Sequence, residues 1–295
     1  VKQDKIAVPL VGWANPAAAP SFNPLRAIIS FIDKTLVIAD LEARKLRHDP
    51  TEMITRAIQP VLWLLVFGEV FTRTRAIPTG NVPYIDFMAP GILAQSVLFV
   101  AIFYGIAIIW ERDLGIVHKF LASPTPRAAL VLGKALSASV RAFVQAFIIY
   151  ILAIILRVKL NFNPLDLLGV LFMVLMGAAF FSTFSLIIAC LVKTRERFMG
   201  IGQLLTMPLF FASNSIYPIS IMPVWLQLVA KVNPLSYEVD ALRSMMLAGW
   251  PSAFGLGLDF IVVVAATVVL IVIGFWLPAP LLELVRRAAR VVSGA

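Results

Sequence analysis

An all-α polytopic membrane protein is the fold class that this sequence predicts, and three observations predict it. Hydrophobic residues make up 60% of the 295 positions and charged residues only 14%, whereas a soluble domain carries about a quarter charged residues. Uncharged apolar runs near the ~20 residues that a helix needs to cross the hydrocarbon recur along the chain, at Phe87–Trp110, Leu167–Val192 and Phe260–Leu282. The basic residues are segregated. With six spans and both termini on one side, eighteen of the 25 Lys and Arg fall on that side, six on the other, and Arg141 within a span. Positive charge collects in cytoplasmic loops, so both termini are expected in the cytoplasm.

The elements follow in order. Residues 1–49 form a cytoplasmic segment in which Leu25, Ile28, Ile29, Ile32 and Leu36 recur at helical spacing, with Arg26, Asp33, Lys34 and Asp40 on other faces. This predicts an amphipathic interface helix on the membrane surface, ending at Asp49-Pro50; a core helix of a soluble domain is the alternative. The N-terminus shows no signal-peptide pattern, since Lys2, Asp4 and Lys5 precede the stretch "NPAAAPSFNP". The spans themselves are expected to direct insertion.

Residues 50–282 form the six-span domain. Met53–Phe71 is the weakest span, with Arg56 and Glu69 near its ends and Gln59-Pro60 within it. Leu136–Leu156 is interrupted only by Arg141, close enough to one end to snorkel. The run Phe198–Ala230 is too long for one span and holds Pro208, Pro218 and Pro223. It predicts a helix from Phe198 to about Ile216, then an extracytoplasmic re-entrant hairpin between spans five and six. In that hairpin Trp225, Leu228, Val229 and Val232 form one face of a short helix, broken at Asn233-Pro234. Ser236 is expected to cap the second helix, with Glu238 and Asp240 in its first turn. Residues 283–295 form a cytoplasmic tail.

Several chemistries find no support. His48 and His118 are separated by two spans and Cys190 is the one cysteine, so a His/Cys metal site is not expected. Glu238 and Asp240 at i, i+2 point to different faces of a helix rather than at one substrate bond. Charges deep in the bilayer mark ion paths, and Arg141, Glu69 and Asp259 all fall near span ends. "LVLGK" ends in Gly133-Lys134 but has Ala128 and Ala135 where a phosphate loop needs glycine and Ser/Thr. The net charge of +9 is explained by loop placement, so membrane lipid is the expected partner and nucleic acid is not. Ala178, Ser182, Ser185 and Ala189 make a small-residue stripe suited to close helix packing, with a polar substrate path as the alternative.

The segment "ERDLGIVHKFLASPTPRAALVLGK", Glu111 to Lys134, is a polar block between the second and third spans. Leu114, Val117, Phe120 and Leu121 form an apolar stripe, and "SPTP" stops the helix. Its pattern fits a docking helix for a soluble partner and, equally, a solvated loop with a helix on the membrane surface. Together with "SASVR" beyond it, the segment resembles the cytoplasmic loop of type-2 ABC exporter permeases, especially the daunorubicin-resistance and nodulation-export branch. Glu111, Arg112, Asp113, Gly115, Lys119, Leu121, Ser123, Pro124 and Arg127 carry the match, while Ile116 and His118 depart from the common pattern. A second match lies in Asn233, Pro234, Leu235, Asp240, Ala241, Leu242 and Arg243.

The resemblance implies a transmembrane permease subunit in the bacterial plasma membrane, with no cofactor of its own. ATP and Mg would be bound by a separate ATP-binding-cassette ATPase, and a second copy or a homologous permease would complete the transporter. Glu111, Arg112, Gly115, Lys119 and Pro124 would couple the ATPase to the spans; Asn233, Pro234 and Asp240 would shape an outer gate. Cargo would be a drug, lipid or glycoconjugate, including lipid-linked glycan or polysaccharide. Readings of a different class are a membrane-embedded transferase, which would need a carboxylate or histidine cluster, and a non-transporting assembly subunit.

Overall fold

The computed structural model describes residues 58–75, 77–80, 82–114, 127–192 and 194–276, with isolated positions at 33, 37, 40, 44 and 55. The expected N-terminal interface helix falls mostly outside these; its described positions Asp33, Val37, Asp40 and Arg44 are helical and exposed. The tail 283–295 lies outside them too. Among the described residues there is no β-strand, only one isolated antiparallel bridge between Leu160 and Leu247.

A first helical stretch widens into a π-helical turn at Trp63–Gly68 and continues as α1 (Glu69–Thr74). There follow α2 (Tyr84–Asp113), α3 (Arg127–Ile155), α4 (Pro164–Leu191), α5 (Arg195–Phe211), α6 (Val224–Val232), α7 (Pro234–Met246) and α8 (Leu256–Trp276). Among the described residues, four stretches are long and apolar enough to cross a membrane: Tyr84–Glu111, Leu132–Ile155, Pro164–Leu191 and Leu256–Gly274. They overlap four of the predicted spans. The other two differ. α5 ends at Phe211 rather than near Ile216, because Pro208 removes a hydrogen bond from its last turns and a buried turn at 212–216 takes over. The first stretch runs past Phe71 to Thr74, where Thr72 Oγ1 donates to Gly68 O and accepts Ile85 N–H at 3.0 Å, tying it to the start of α2.

α2 is the hub. Ile92, Leu93, Ala94, Val97, Leu98, Ala101 and Ile102 have no exposed surface, and the helix packs on α3, α4, α5 and α7. The predicted small-residue stripe on α4 faces inward. Ala178, Ser182, Ser185 and Ala189 are all buried, and Ser185 Oγ donates to Ile102 O of α2. Without small side chains there the two backbones could not approach so closely.

The clearest close approach is at Gly91, where a Cβ would run into the backbone carbonyl of Ser215. Backbone cannot swing aside as a side chain can. Gly91→Ala is therefore expected to cost about 1–3 kcal/mol through overpacking, read as a lowered unfolding midpoint of the purified protein. An unchanged midpoint would mean that the turn at 212–216 yields freely.

Beyond that turn the chain forms α6 and α7. Asn233 is the residue between them; its side-chain oxygen accepts Leu235 N–H at 3.1 Å and its amide donates to Leu209 O at 2.7 Å. The sequence reading gives the cap to Ser236; the structure gives it to Asn233. Pro234 occupies the first helical position, where its missing N–H costs nothing and its fixed φ favours the turn. Ser236 is instead wholly buried. On α6, Trp225, Leu228, Val229 and Val232 all remain exposed, the face that their spacing predicts. α7 runs antiparallel to α4, with Met245 against Gly169 and Glu238 against Gly177.

Candidate functional site: a braced helix end, an amide-lined groove and a buried polar hairpin

The end of α2 is fixed by charge. Lys134 Nζ of α3 lies 2.9 and 2.7 Å from the two carboxylate oxygens of Glu111, and both side chains are more than nine-tenths buried. Lys134 and Arg141 also approach the Tyr104 ring, at 5.6 and 5.0 Å, within cation–π range. One turn away, Arg195 of α5 reaches Asp113 at 3.2 Å and lies over the Trp110 ring at 3.6 Å. The last turn of α2 is thus joined to the first turns of α3 and α5. Glu111 and Lys134 close the neck of the intervening polar segment. Gly115, Lys119 and Pro124 lie outside the described residues, and Arg112 follows Glu111 in α2. Glu111 faces inward, and its carboxylate is bonded to Lys134.

Along the same helix, toward its other end, a groove of about 300 Å³ opens between the first helical stretch, α2 and α5. Thr55, Gln59 and Pro60 form one wall, Gln95, Ser96, Phe99, Val100 and Phe103 the floor, and Gln203 and Met207 the other wall. Gln95 is 3% exposed, and its Oε1 has no hydrogen-bond partner among the described residues. Sequence reasoning missed this site. Its signal is visible afterwards: a glutamine inside an apolar run must find a partner or carry the cost of an unmade bond.

The residues expected at an outer gate converge on the start and middle of α7. Asp240 Oδ2 accepts Ser252 Oγ–H at 2.8 Å and the N–H groups of Ala253 and Phe254 at 2.7 and 3.0 Å. This anchors the segment that leads into α8, whose Asp259 Oδ2 lies 3.1 Å from the same Ser252 Oγ. Arg243, 2% exposed, donates to Phe87 O at 3.2 Å and Asn214 O at 2.7 Å, and its guanidinium lies over the Phe87 ring at 3.8 Å. One arginine thereby joins α7, α2 and the turn after α5. Partial burial raises the Tyr217 hydroxyl above the usual phenol range, so it stays protonated and donates to Phe211 O.

The sequence reading concerns charges deep in the bilayer and finds them nearly absent; it does not foresee which charges the packing of the helices would bury within the protein. Glu238 is 1% exposed and its carboxyl meets Gly177, about 20 Å along α4 from Pro164 at 1.5 Å per residue. Glu238, Lys134 and Arg243 look like surface charges in sequence because they lie in short polar segments. Only the packing buries them.

A family model for the ABC-2 type transporter matches residues 34–247, a stretch that takes in α1 to α7. The chain belongs to the ABC-2 type transporter family. Among curated relatives, ycf38 of Cyanophora paradoxa, whose name calls it a transport permease, is 29% identical over 72% of this chain and 74% of its own length. The daunorubicin resistance ABC transporter permease protein DrrB1 of Streptomyces coeruleorubidus is 23% identical over 81% of this chain and 83% of its own. Nodulation protein J of Rhizobium leguminosarum bv. trifolii is 27% identical over 69% and 75%. The resemblance drawn from the two motifs is therefore to the right family, that of type-2 ABC permeases. This permease is a multi-pass membrane protein and a transport subunit, not catalytic by itself; in the family the ATPase is a separate subunit.

Proposed function

We propose that this chain is the membrane subunit of an exporter that carries an amphiphilic substrate outward from the cytoplasm, moved by an ATP-binding-cassette partner. The observation that carries the reading is that α2 holds both the brace and the groove. Glu111 is fixed to Lys134 at one end, and Gln95 to Phe103 floor the groove farther along the same helix. From Phe99 to Glu111 is about 18 Å of helix at 1.5 Å per residue. A push on the segment 115–126 would reach the groove through one stiff element.

In this reading the first helical stretch and α5 complete six spans. The termini and the segment 115–126 face the cytoplasm of a bacterial plasma membrane, where the ATPase docks through Arg112, Gly115, Lys119 and Pro124. Glu111 supports the docking segment from behind. Asn233, Pro234 and Asp240 shape the outer gate as parts of a re-entrant hairpin, and a second permease copy faces the first. The relative named for daunorubicin resistance supports an amphiphilic cargo.

The test is reconstitution in vesicles with and without the partner ATPase. ATP-dependent movement of an amphiphile is expected only with both, and Gly115→Pro should abolish it while the complex still assembles. Full-rate movement by the permease alone, without nucleotide, would overturn the reading. An ATPase that binds the chain but never drives transport would favour an assembly subunit.

A further inference from the structure

The junction between α7 and α8 has a hydrogen-bond pattern that does not close unless one carboxyl carries a proton. Ser252 Oγ lies 2.8 Å from Asp240 Oδ2 and 3.1 Å from Asp259 Oδ2, and it accepts the Gly255 N–H at 2.7 Å. A serine has one hydroxyl hydrogen, and an ionised carboxylate can only accept. That hydrogen serves one aspartate. The other oxygen then faces Ser252 with no proton between them.

The surroundings decide which aspartate is ionised. Asp240 Oδ2 also accepts the N–H groups of Ala253 and Phe254, and the Arg243 charge acts on it from one turn away. Backbone donors and a nearby cation favour the charged form of a carboxyl. Asp259 has no such support. It has no exposed surface, its Oδ1 has no partner among the described residues, and the Asp240 charge repels a second one on it. It stands in the first turn of α8, yet no backbone N–H of that turn bonds its Oδ1.

The neighbouring elements bring it no counter-charge among the described residues. α8 packs on α7, α4 and α3. On α7, Glu238 turns to Gly177; on α4, Asp166 meets Asn161 at 2.6 Å. On α3, Lys134 is paired with Glu111 and Arg141 lies over Tyr104, while Arg127 begins that helix at the end away from α4's start.

We propose that Asp259 is a positioning residue that carries the proton: its Oδ2–H donates to Ser252 Oγ, whose own hydrogen goes to Asp240 Oδ2. Every bonding position of Ser252 Oγ is then used. The chain joins the first turn of α8 to the middle of α7 and holds one negative charge. When Asp259 loses its proton, two carboxylates face one hydroxyl and repel each other. The junction therefore holds in acid and loosens as pH rises. The loosening is local, because the Phe254 ring stays against Tyr237 at 4.6 Å. Its purpose, a pH-sensitive outer hairpin, rests on the export reading; the proton itself rests on the junction alone.

The experiment uses the full chain in lipid nanodiscs. A protonated carboxyl has its own C=O stretch in the infrared. At about pH 6, some two units above the ordinary aspartate value near 3.9, Asp259→Asn should remove one such band from the wild-type spectrum. If every protonated-carboxyl band survives Asp259→Asn, the proposal is overturned. Hydrogen exchange reads the release. Corrected for the intrinsic rate, wild-type protection over residues 252–259 should fall about tenfold between roughly pH 6 and 9, the size of one lost buried hydrogen bond. Asparagine can donate to Ser252 without titrating, so Asp259→Asn should keep its protection over the same range. Flat wild-type protection, or an equal fall in the variant, refutes the switch. The wild-type titration needs no variant, so an Asp259→Asn protein that fails to fold does not shelter the proposal. No arm uses transport or the ATPase, so a failure here leaves the export reading standing.

Discussion

Lys134→Ala should lower the stability of the permease by about 3–5 kcal/mol, the range for removing one partner of a buried ion pair. The reason lies in what remains. Glu111 would keep its charge at a site where its side chain is nine-tenths or more buried, without the ammonium now 2.7 Å away. Replacing both partners at once removes that burden, since buried pairs can be exchanged for apolar groups of similar volume at little cost. The double variant Glu111→Leu/Lys134→Met should therefore recover most of the lost unfolding midpoint. A surface role for Glu111 predicts otherwise: Lys134→Ala would then be almost silent, as substitutions at exposed pairs are. Unfolding midpoints of the purified single and double variants decide between them, and a silent Lys134→Ala would remove the brace.

Arg243→Met should be comparably damaging, at about 3 kcal/mol or more, through loss of hydrogen bonds from a buried charged group. Methionine preserves much of the stem's packing and removes only the guanidinium. The carbonyls of Phe87 and Asn214 then lose their donor, and the Phe87 face loses its cation. Because those groups belong to α2 and to the turn after α5, the loss should loosen the hairpin's attachment and not α7 alone. Hydrogen exchange is the matching measurement: protection should fall in residues 84–91 and 212–217 as well as in α7. Protection lost in α7 only would show that Arg243 does not join the three elements.

Most of the helices were legible in sequence because the bilayer imposes a simple rule on them. A helix must be apolar over about 20 residues to cross, and four stretches satisfy it in both sequence and structure. The break at Asn233-Pro234 was legible for a local reason, since proline restricts the residue before it. The cap was misplaced at Ser236 because Ser, Asn and Asp all serve at that position, and two competed within four residues. The helix beginning at Arg195 ends early because a buried turn held by Tyr84 and Arg243 competes for its last residues. Neither side chain is near that turn in sequence.

The candidate site divides in the same way. Glu111, Asn233, Pro234 and Asp240 stood out as residues in polar segments of recognisable pattern, yet the pattern did not say what they touch. Lys134 was weighed as a cytoplasmic-side charge and as the end of a failed phosphate loop, Arg243 as an outer-side charge and one letter of a motif, and Gln95 not at all. Each acquires its place from a residue 23 or more positions away, or from a groove built by three helices.

The sequence by itself determined that the chain lives in a membrane, which stretches are greasy enough to cross it, where the backbone must break, and that no phosphate loop accompanies it. These follow from composition and short-range geometry, which act within about twenty residues. Only the tertiary structure decided which charges are inside. An ionisable side chain is tolerated there when another element supplies its partner, and the partner's address is a matter of packing.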